Sequence, residues 1–142
     1  MIAAFWGLAL VAFLAATILP FSSELAVTGM VAQGYPVAAV VLVATIGNVL
    51  GSLTNYALGR WAGRAAVIRL LRVSEDALSQ AEDRFKRYGT VALLLAWVPV
   101  IGDPITVIAG VLRVKVGMFV LLVTVGKCAR YAVIAGAVSW TF

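Results

Sequence analysis

The chain has 142 residues, of which 63% are hydrophobic and only 12% charged, with a mean hydropathy of +1.07. Soluble domains hold about a quarter charged residues and under about half apolar ones. A fold this small keeps much of its surface exposed and could not hide so much apolar area from water, so the composition predicts an integral membrane protein. The formal charge of +5 does not point to a nucleic-acid partner, because the basic residues flank apolar runs, as they do at a membrane surface. There is no histidine and one cysteine, Cys128, so an intrachain disulfide is excluded and the usual donors for zinc or haem are missing. No metal and no cofactor are expected. Cys128 sits in an apolar stretch and is expected to be a small buried hydrophobe.

Residues 2–19 form an apolar run that stops at Pro20, and a second run covers Leu25–Ala32. The N-terminus lacks a basic region and is read as retained structure, not a cleaved signal. Two full crossings would need about 40 residues at about 20 each, more than residues 2–33 supply. The economical solution is a re-entrant hairpin that turns at Pro20–Glu24 and leaves at Gln33–Pro36. Residues 37–59 are expected to make a full crossing ending at Gly59-Arg60. Within it, Gly47 and Gly51 have the spacing that lets two helices approach closely.

Apart from Glu24, residues 1–59 carry no charge, whereas residues 60–88 carry eleven charged side chains. This segment reads as surface helices. Ser74 is a helix N-cap, Glu75 and Asp76 follow it, and Arg84, Lys86 and Arg87 precede Gly89. Ala77, Leu78, Ala81, Phe85 and Tyr88 share one face, which should lie on the membrane or on the bundle. A further apolar run from Thr90 reaches Trp97, breaks around Pro99, Gly102 and Pro104, and resumes to Leu112. Residues 116–140 form the last crossing.

The halves match at an offset of 79 residues, which carries Pro20 to Pro99, Glu24 to Asp103, Thr45 to Thr124 and Gly47 to Gly126. Paired Pro-interrupted apolar segments point to inverted repeats with a site at the bilayer midplane. The basic segment 60–88, with Arg113 and Lys115, should be cytoplasmic and the uncharged Gln33–Pro36 loop should face the other side. The predicted fold is all-α, a single domain over 1–142. It comprises two inverted repeats (1–59 and 89–142), each a re-entrant hairpin plus a crossing, joined by an amphipathic connector (60–88).

Glu24, Asp103, Lys127 and Arg130 are ionisable groups inside apolar segments. Each costs about 2.5–3.5 kcal/mol near a helix centre, and four unpaired would cost on the order of 10 kcal/mol, comparable to a protein's whole stability. They must pair or face water. Lys127 and Arg130 share a helix face, with Glu24 and Asp103 as natural partners. A mid-membrane polar cavity and a structural salt-bridge core both satisfy this requirement. Asn48, Ser52 and Asn55 would line such a cavity or hydrogen-bond helices together, and Trp97 could cap it. Trp6, Trp61 and Trp140 suit interfacial anchors. Nothing resembles an enzyme's nucleophile elbow, metal cluster or phosphate loop, and no catalytic activity is expected.

Several stretches together carry a family resemblance: Leu19–Glu24, Gly47–Arg60, Phe85–Gly89, Trp97–Pro104 through Ala109-Gly110, and Gly126–Tyr131. They resemble the DedA (VTT, or SNARE-associated) membrane proteins, most closely the short YqaA-like branch. The resemblance implies opposed re-entrant hairpins in the inner membrane and proton-linked transport or lipid flipping and scrambling. Its partners would be membrane lipids, with protons or other small ions, and its assembly a homo-oligomer. Ser52 stands where the family often has an acid, and Ala96 and Gly102 where it often has arginines, so Lys127 and Arg130 would have to serve any anionic head group. A non-transporting scaffold or assembly factor is the rival reading.

Overall fold

A computed structural model describes residues 2–17, 22–71, 74–89, 91, 93–94 and 102–141, with a few side chains inside the helices, including those of Asp103 and Pro104, left outside the description. The elements are α1 (Ile2–Thr17), α2 (Ser22–Ala32), α3 (Val37–Leu71), α4 (Glu75–Tyr88), α5 (Gly102–Val111) and α6 (Val116–Thr141). Among the described residues there is no strand. Two helical stretches, Val37–Gly63 and Val116–Thr141, are long and apolar enough to cross a membrane. At 1.5 Å per residue they extend about 40 Å, beyond the roughly 30 Å of a bilayer's hydrocarbon core. Helices α1, α2 and α5, of 16, 11 and 10 residues, fall short of it.

Helices α1 and α2 form an antiparallel hairpin. The ring of Phe5 near the start of α1 meets Tyr35, just past α2, edge-on at 5.6 Å, and Leu8 shares a core with Met30 and Val31. The expected close approach at Gly47 and Gly51 is present, because a Cβ at either position would run into the backbone of α1 at Ala9 and Phe13. Helices α3 and α6 cross antiparallel: Asn48 meets Lys127 while Tyr56 stacks against Phe119 with ring centroids 4.8 Å apart.

The offset of 79 seen in the sequence recurs in the geometry. Helix α2 ends at Ala32 and α5 at Val111, and α3 begins at Val37 and α6 at Val116. Each intervening turn closes in the same way. After α2, the amides of Gly34 and Tyr35 donate to the carbonyls of Val31 and Met30 (3.0 and 3.1 Å). After α5, those of Arg113 and Val114 donate to Gly110 and Ala109 (3.1 and 3.0 Å). This is the Schellman pattern, which needs a left-handed residue at its corner. Gly34 (φ 94°) supplies it in one turn and Arg113 (φ 57°) in the other. The apolar cores follow the same relation: one joins Val40 and Ala44 to Ala135, the other joins Phe119 and Val123 to Tyr56.

Several expectations need correction. The first crossing does not end at Gly59-Arg60. Its helix continues to Leu71 and kinks at Gly63 (φ 83°, ψ 169°), a conformation open to glycine at no steric cost. Gly59 is instead a contact residue: a Cβ there would strike Val107, just as one at Gly110 would strike Tyr56. Ser22, Ser23 and Glu24, expected in a turn, belong to α2. Gly102 and Pro104, expected at the second hairpin's break, lie in the first turn of α5. Proline is tolerated there because the amide it lacks has no intrahelical acceptor. Pro20 and Pro99 lie outside the described residues.

The connector helix α4 has the expected caps. Ser74 accepts from the Ala77 amide at 3.0 Å, and Gly89 (φ 67°) closes the far end. Its apolar face lies on the bundle: Leu78 and Phe85 are buried in the core that contains Ile105 and Ile108 of α5. Tyr88 is exposed, with Arg87 over its ring at 5.5 Å, and the Ala81 side chain lies outside the described residues. Cys128 is exposed, not buried, because α6 turns its other face inward.

The α3–α5 contact has a direct test. Gly110→Ala should lower stability in detergent by about 1–3 kcal/mol, the usual cost of forcing atoms into a packed interface. Gly136→Ala, where a Cβ meets nothing within 4 Å, should not lower it. Equal melting temperatures for the two variants would refute the tight crossing.

Candidate functional site

The membrane-length helices are polar inside and apolar outside. Helix α3 buries Thr45, Asn48, Ser52 and Asn55 while exposing Leu42, Ile46 and Leu50. Helix α6 buries Lys127 at 2% exposure and exposes Leu121, Val125 and Val133. Water as solvent would select the reverse arrangement, since a contiguous apolar exterior is unfavourable there. Lipid selects the one observed, because in hydrocarbon every polar group must find its partner within the protein. The tryptophans fit this exterior: Trp6 and Trp140 are exposed near helix ends, and Trp61 is exposed beside the Gly63 kink.

The polar side chains converge where α3 crosses α6. The Lys127 ammonium donates to the Asn48 side-chain carbonyl. The Asn48 amide then donates to the Ala12 carbonyl of α1 at 2.8 Å, and Ser52 donates back to the Asn48 carbonyl at 3.1 Å. About two turns beyond Asn48 on α3, Asn55 donates to the Ala16 carbonyl at 2.9 Å and to Thr106 of α5 at 3.3 Å. Ala16 lies in the last turn of α1, whose carbonyls lack intrahelical donors, so Asn55 helps to complete that helix end. Both asparagines hydrogen-bond neighbouring helices together.

A second group joins α2 to α6. Arg130 forms an ion pair with Glu24, as the shared face of Lys127 and Arg130 predicted for one of the two acids. Beside it the Tyr131 hydroxyl donates to Ser23 Oγ at 2.8 Å. The hydroxyl pair is fully buried, whereas the side chains of Arg130 and Glu24 retain 15% and 20% exposure. Arg130 lines a groove of about 640 Å³ with Leu94, Val125, Gly126, Ala129, Val133 and Ile134.

The structure therefore joins Asn48, Ser52 and Lys127 in one group and Glu24 and Arg130 in another, with Asn55 two turns from Asn48 on α3. Trp97 and the Asp103 side chain lie outside the described residues. Sequence reasoning missed Ser23, Thr106 and Tyr131. The signal was present but weak: Ser23 sits between Ser22 and Glu24, Thr106 is a lone hydroxyl in an apolar stretch, and Tyr131 lies one turn from Lys127 on the same face. The Ala12 and Ala16 carbonyls carried no sequence signal. Among the described residues no cluster of His, Cys, Asp and Glu could hold a metal ion.

Residues 19–139 match the VTT domain. The chain belongs to the VTT-domain (DedA) family. The inner membrane protein YqaA of Escherichia coli (strain K12) is 40% identical over 126 residues, covering 88% of this chain and 84% of its own. An uncharacterized protein of Haemophilus influenzae is 37% identical over 128 residues, covering 84% of this chain and 78% of its own. An alkaline phosphatase-like protein of Lactococcus lactis subsp. cremoris is 31% identical over 113 residues, but this chain spans only 48% of it. No solved structure matches the chain. With its relatives, its two membrane-length helices and its apolar exterior, this VTT-family chain is a membrane protein.

The ion pair yields a test in this membrane protein. Glu24→Gln leaves the Arg130 guanidinium in an apolar wall without its carboxylate, which should cost about 3 kcal/mol. Adding Arg130→Gln should restore most of the lost thermal stability in detergent. A double variant no more stable than the single one would show that the pairing contributes nothing.

Proposed function

We propose that the chain is a DedA-type transporter or lipid translocase, moving a phospholipid or a polyprenyl-phosphate between leaflets. The observation that carries this reading is Arg130: a cation paired inside the bundle that also borders a groove whose other lining residues are apolar. A phosphate needs the first feature and an acyl chain needs the second. Glu24 and Asp103, one offset apart, are the proton or cation sites; Lys127 and Arg130 are counter-charges or phosphate anchors. Asn48, Ser52 and Asn55 line the path. No catalytic step is assigned, and the site needs no cofactor.

The translocase is one domain over 1–142, with inverted repeats at 1–59 and 89–142 and a connector at 60–88. Its hairpins are re-entrant and the connector is cytoplasmic. The matched helix bounds and turns, the antiparallel α3–α6 crossing and the short α1, α2 and α5 support this arrangement. Alternating access then follows as one half rocks against the other around a fixed midplane site. The rival scaffold reading has support of its own, since a direct Glu24–Arg130 pair and asparagines bridging helices are also what a rigid framework requires.

Topology is tested by labelling. In a chain with Cys128 replaced, single cysteines at Ser79 and Gln33 should react with an impermeant thiol reagent from opposite faces of the membrane. Reaction of both from one face would sink the inverted arrangement.

Movement is tested in reconstituted vesicles, by the accessibility of fluorescent phospholipid and polyprenyl-phosphate head groups to an impermeant quencher across a range of pH. The wild type should move lipid above empty vesicles, and Glu24→Gln should abolish movement while still inserting. Ion-driven uptake is measured in parallel. A well-folded wild type that moves none of these probes would leave the scaffold reading.

A further inference from the structure

The two halves differ at one point that matters for a ligand. In the first half, α1 seats directly on α3 because Gly47 and Gly51 present no side chain to it. The positions one offset later on α6 are Gly126 and Arg130. Leu94 still approaches the first of these, since a Cβ on Gly126 would lie 3.0 Å from the Leu94 carbonyl. At the second, an arginine stands where the first half has a glycine. The groove of about 640 Å³ lies at this point, within the range of about 300–1,000 Å³ typical of ligand sites. Val125 and Val133 are half to mostly exposed on its outer side, so it faces the surrounding lipid.

Arg130 in that wall is already engaged by Glu24. A guanidinium forms its strongest bonds with planar carboxylates and with phosphates, by the same donor fork. Any phosphate that arrives through the groove must therefore compete with the Glu24 carboxylate. The neighbouring Tyr131–Ser23 bond is fully buried and would go on holding α2 to α6 when the ion pair exchanges.

We infer that the α6 groove binds an anionic phospholipid, with its phosphate on Arg130 and an acyl chain along Val125, Ala129 and Val133, and that Glu24 is the built-in counter-anion which the phosphate displaces. This rests on the reading of Arg130 as a phosphate anchor. It assigns Glu24 a role opposite in sign to that of a ligand contact: Glu24 weakens binding and makes release possible.

The test is calorimetric titration of the full chain, in a zwitterionic detergent, with short-chain phosphatidic acid, short-chain phosphatidylcholine and inorganic phosphate. Wild type should bind phosphatidic acid better than either of the others. Glu24→Gln should bind it about tenfold more tightly, the scale of one charge-assisted hydrogen bond, and Arg130→Gln should lose binding. Tyr131→Phe loosens the α2–α6 contact without freeing Arg130, so its affinity should match wild type. Weaker or unchanged binding by Glu24→Gln would overturn the counter-anion role. Tightening by Tyr131→Phe as well would trace the effect to a loosened bundle and overturn it too. Equal binding of inorganic phosphate would overturn the lipid groove. If this binding pattern holds while vesicles show no lipid movement, translocation fails and the lipid site stands.

Discussion

The contact between Lys127 and Asn48 at the α3–α6 crossing governs much of this structure. An ammonium group inside an apolar segment is costly unless acceptors surround it, and α3 supplies one at the same depth. Asn48 has a second role, since its amide reaches the Ala12 carbonyl of α1. One buried cation thereby fixes the relation of three helices. The two residues stand one offset apart, so corresponding points of the two halves meet at the crossing.

Close packing makes that network possible. Gly47 and Gly51 admit α1, and Gly59 and Gly110 admit α5, each removing a Cβ that would strike opposing backbone. In lipid there is little hydrophobic drive between helices, so van der Waals contact and interhelical hydrogen bonds must supply association. Asn55 depends on the same closeness, because it reaches both α1 and α5.

Asymmetry between the halves is where function enters. A chain built only for rigidity could repeat Gly51 on α6 and seal that wall. This one places Arg130 there and engages it with Glu24 of α2. On the proposed reading, stability and ligand capture draw on the same ion pair. That sharing explains why a scaffold and a translocase require so many of the same contacts, and why their energetics alone do not separate them.

Composition and charge placement determined much of the protein. Apolar residues in excess of what 142 residues can bury require lipid, and the clustered charges of residues 60–88 mark a segment outside it. The 79-residue offset is visible in Pro20 and Pro99 and in Glu24 and Asp103, and it returns in the turns at Gly34 and Arg113. The need for Arg130 to pair with an acid followed from the cost of burying charge. What sequence could not decide was which polar groups meet across helices. Only three-dimensional packing sets the depth of Lys127 against Asn48. The carbonyls of Ala12 and Ala16 belong to every residue type alike, so no sequence marks them as acceptors. Cys128 and Tyr88 were misplaced for a related reason: in an apolar helix, periodicity hardly distinguishes the face turned to lipid from the face turned to protein. Gly59 and Gly63 look alike in sequence, and only the path of α5 makes one a contact and the other a kink.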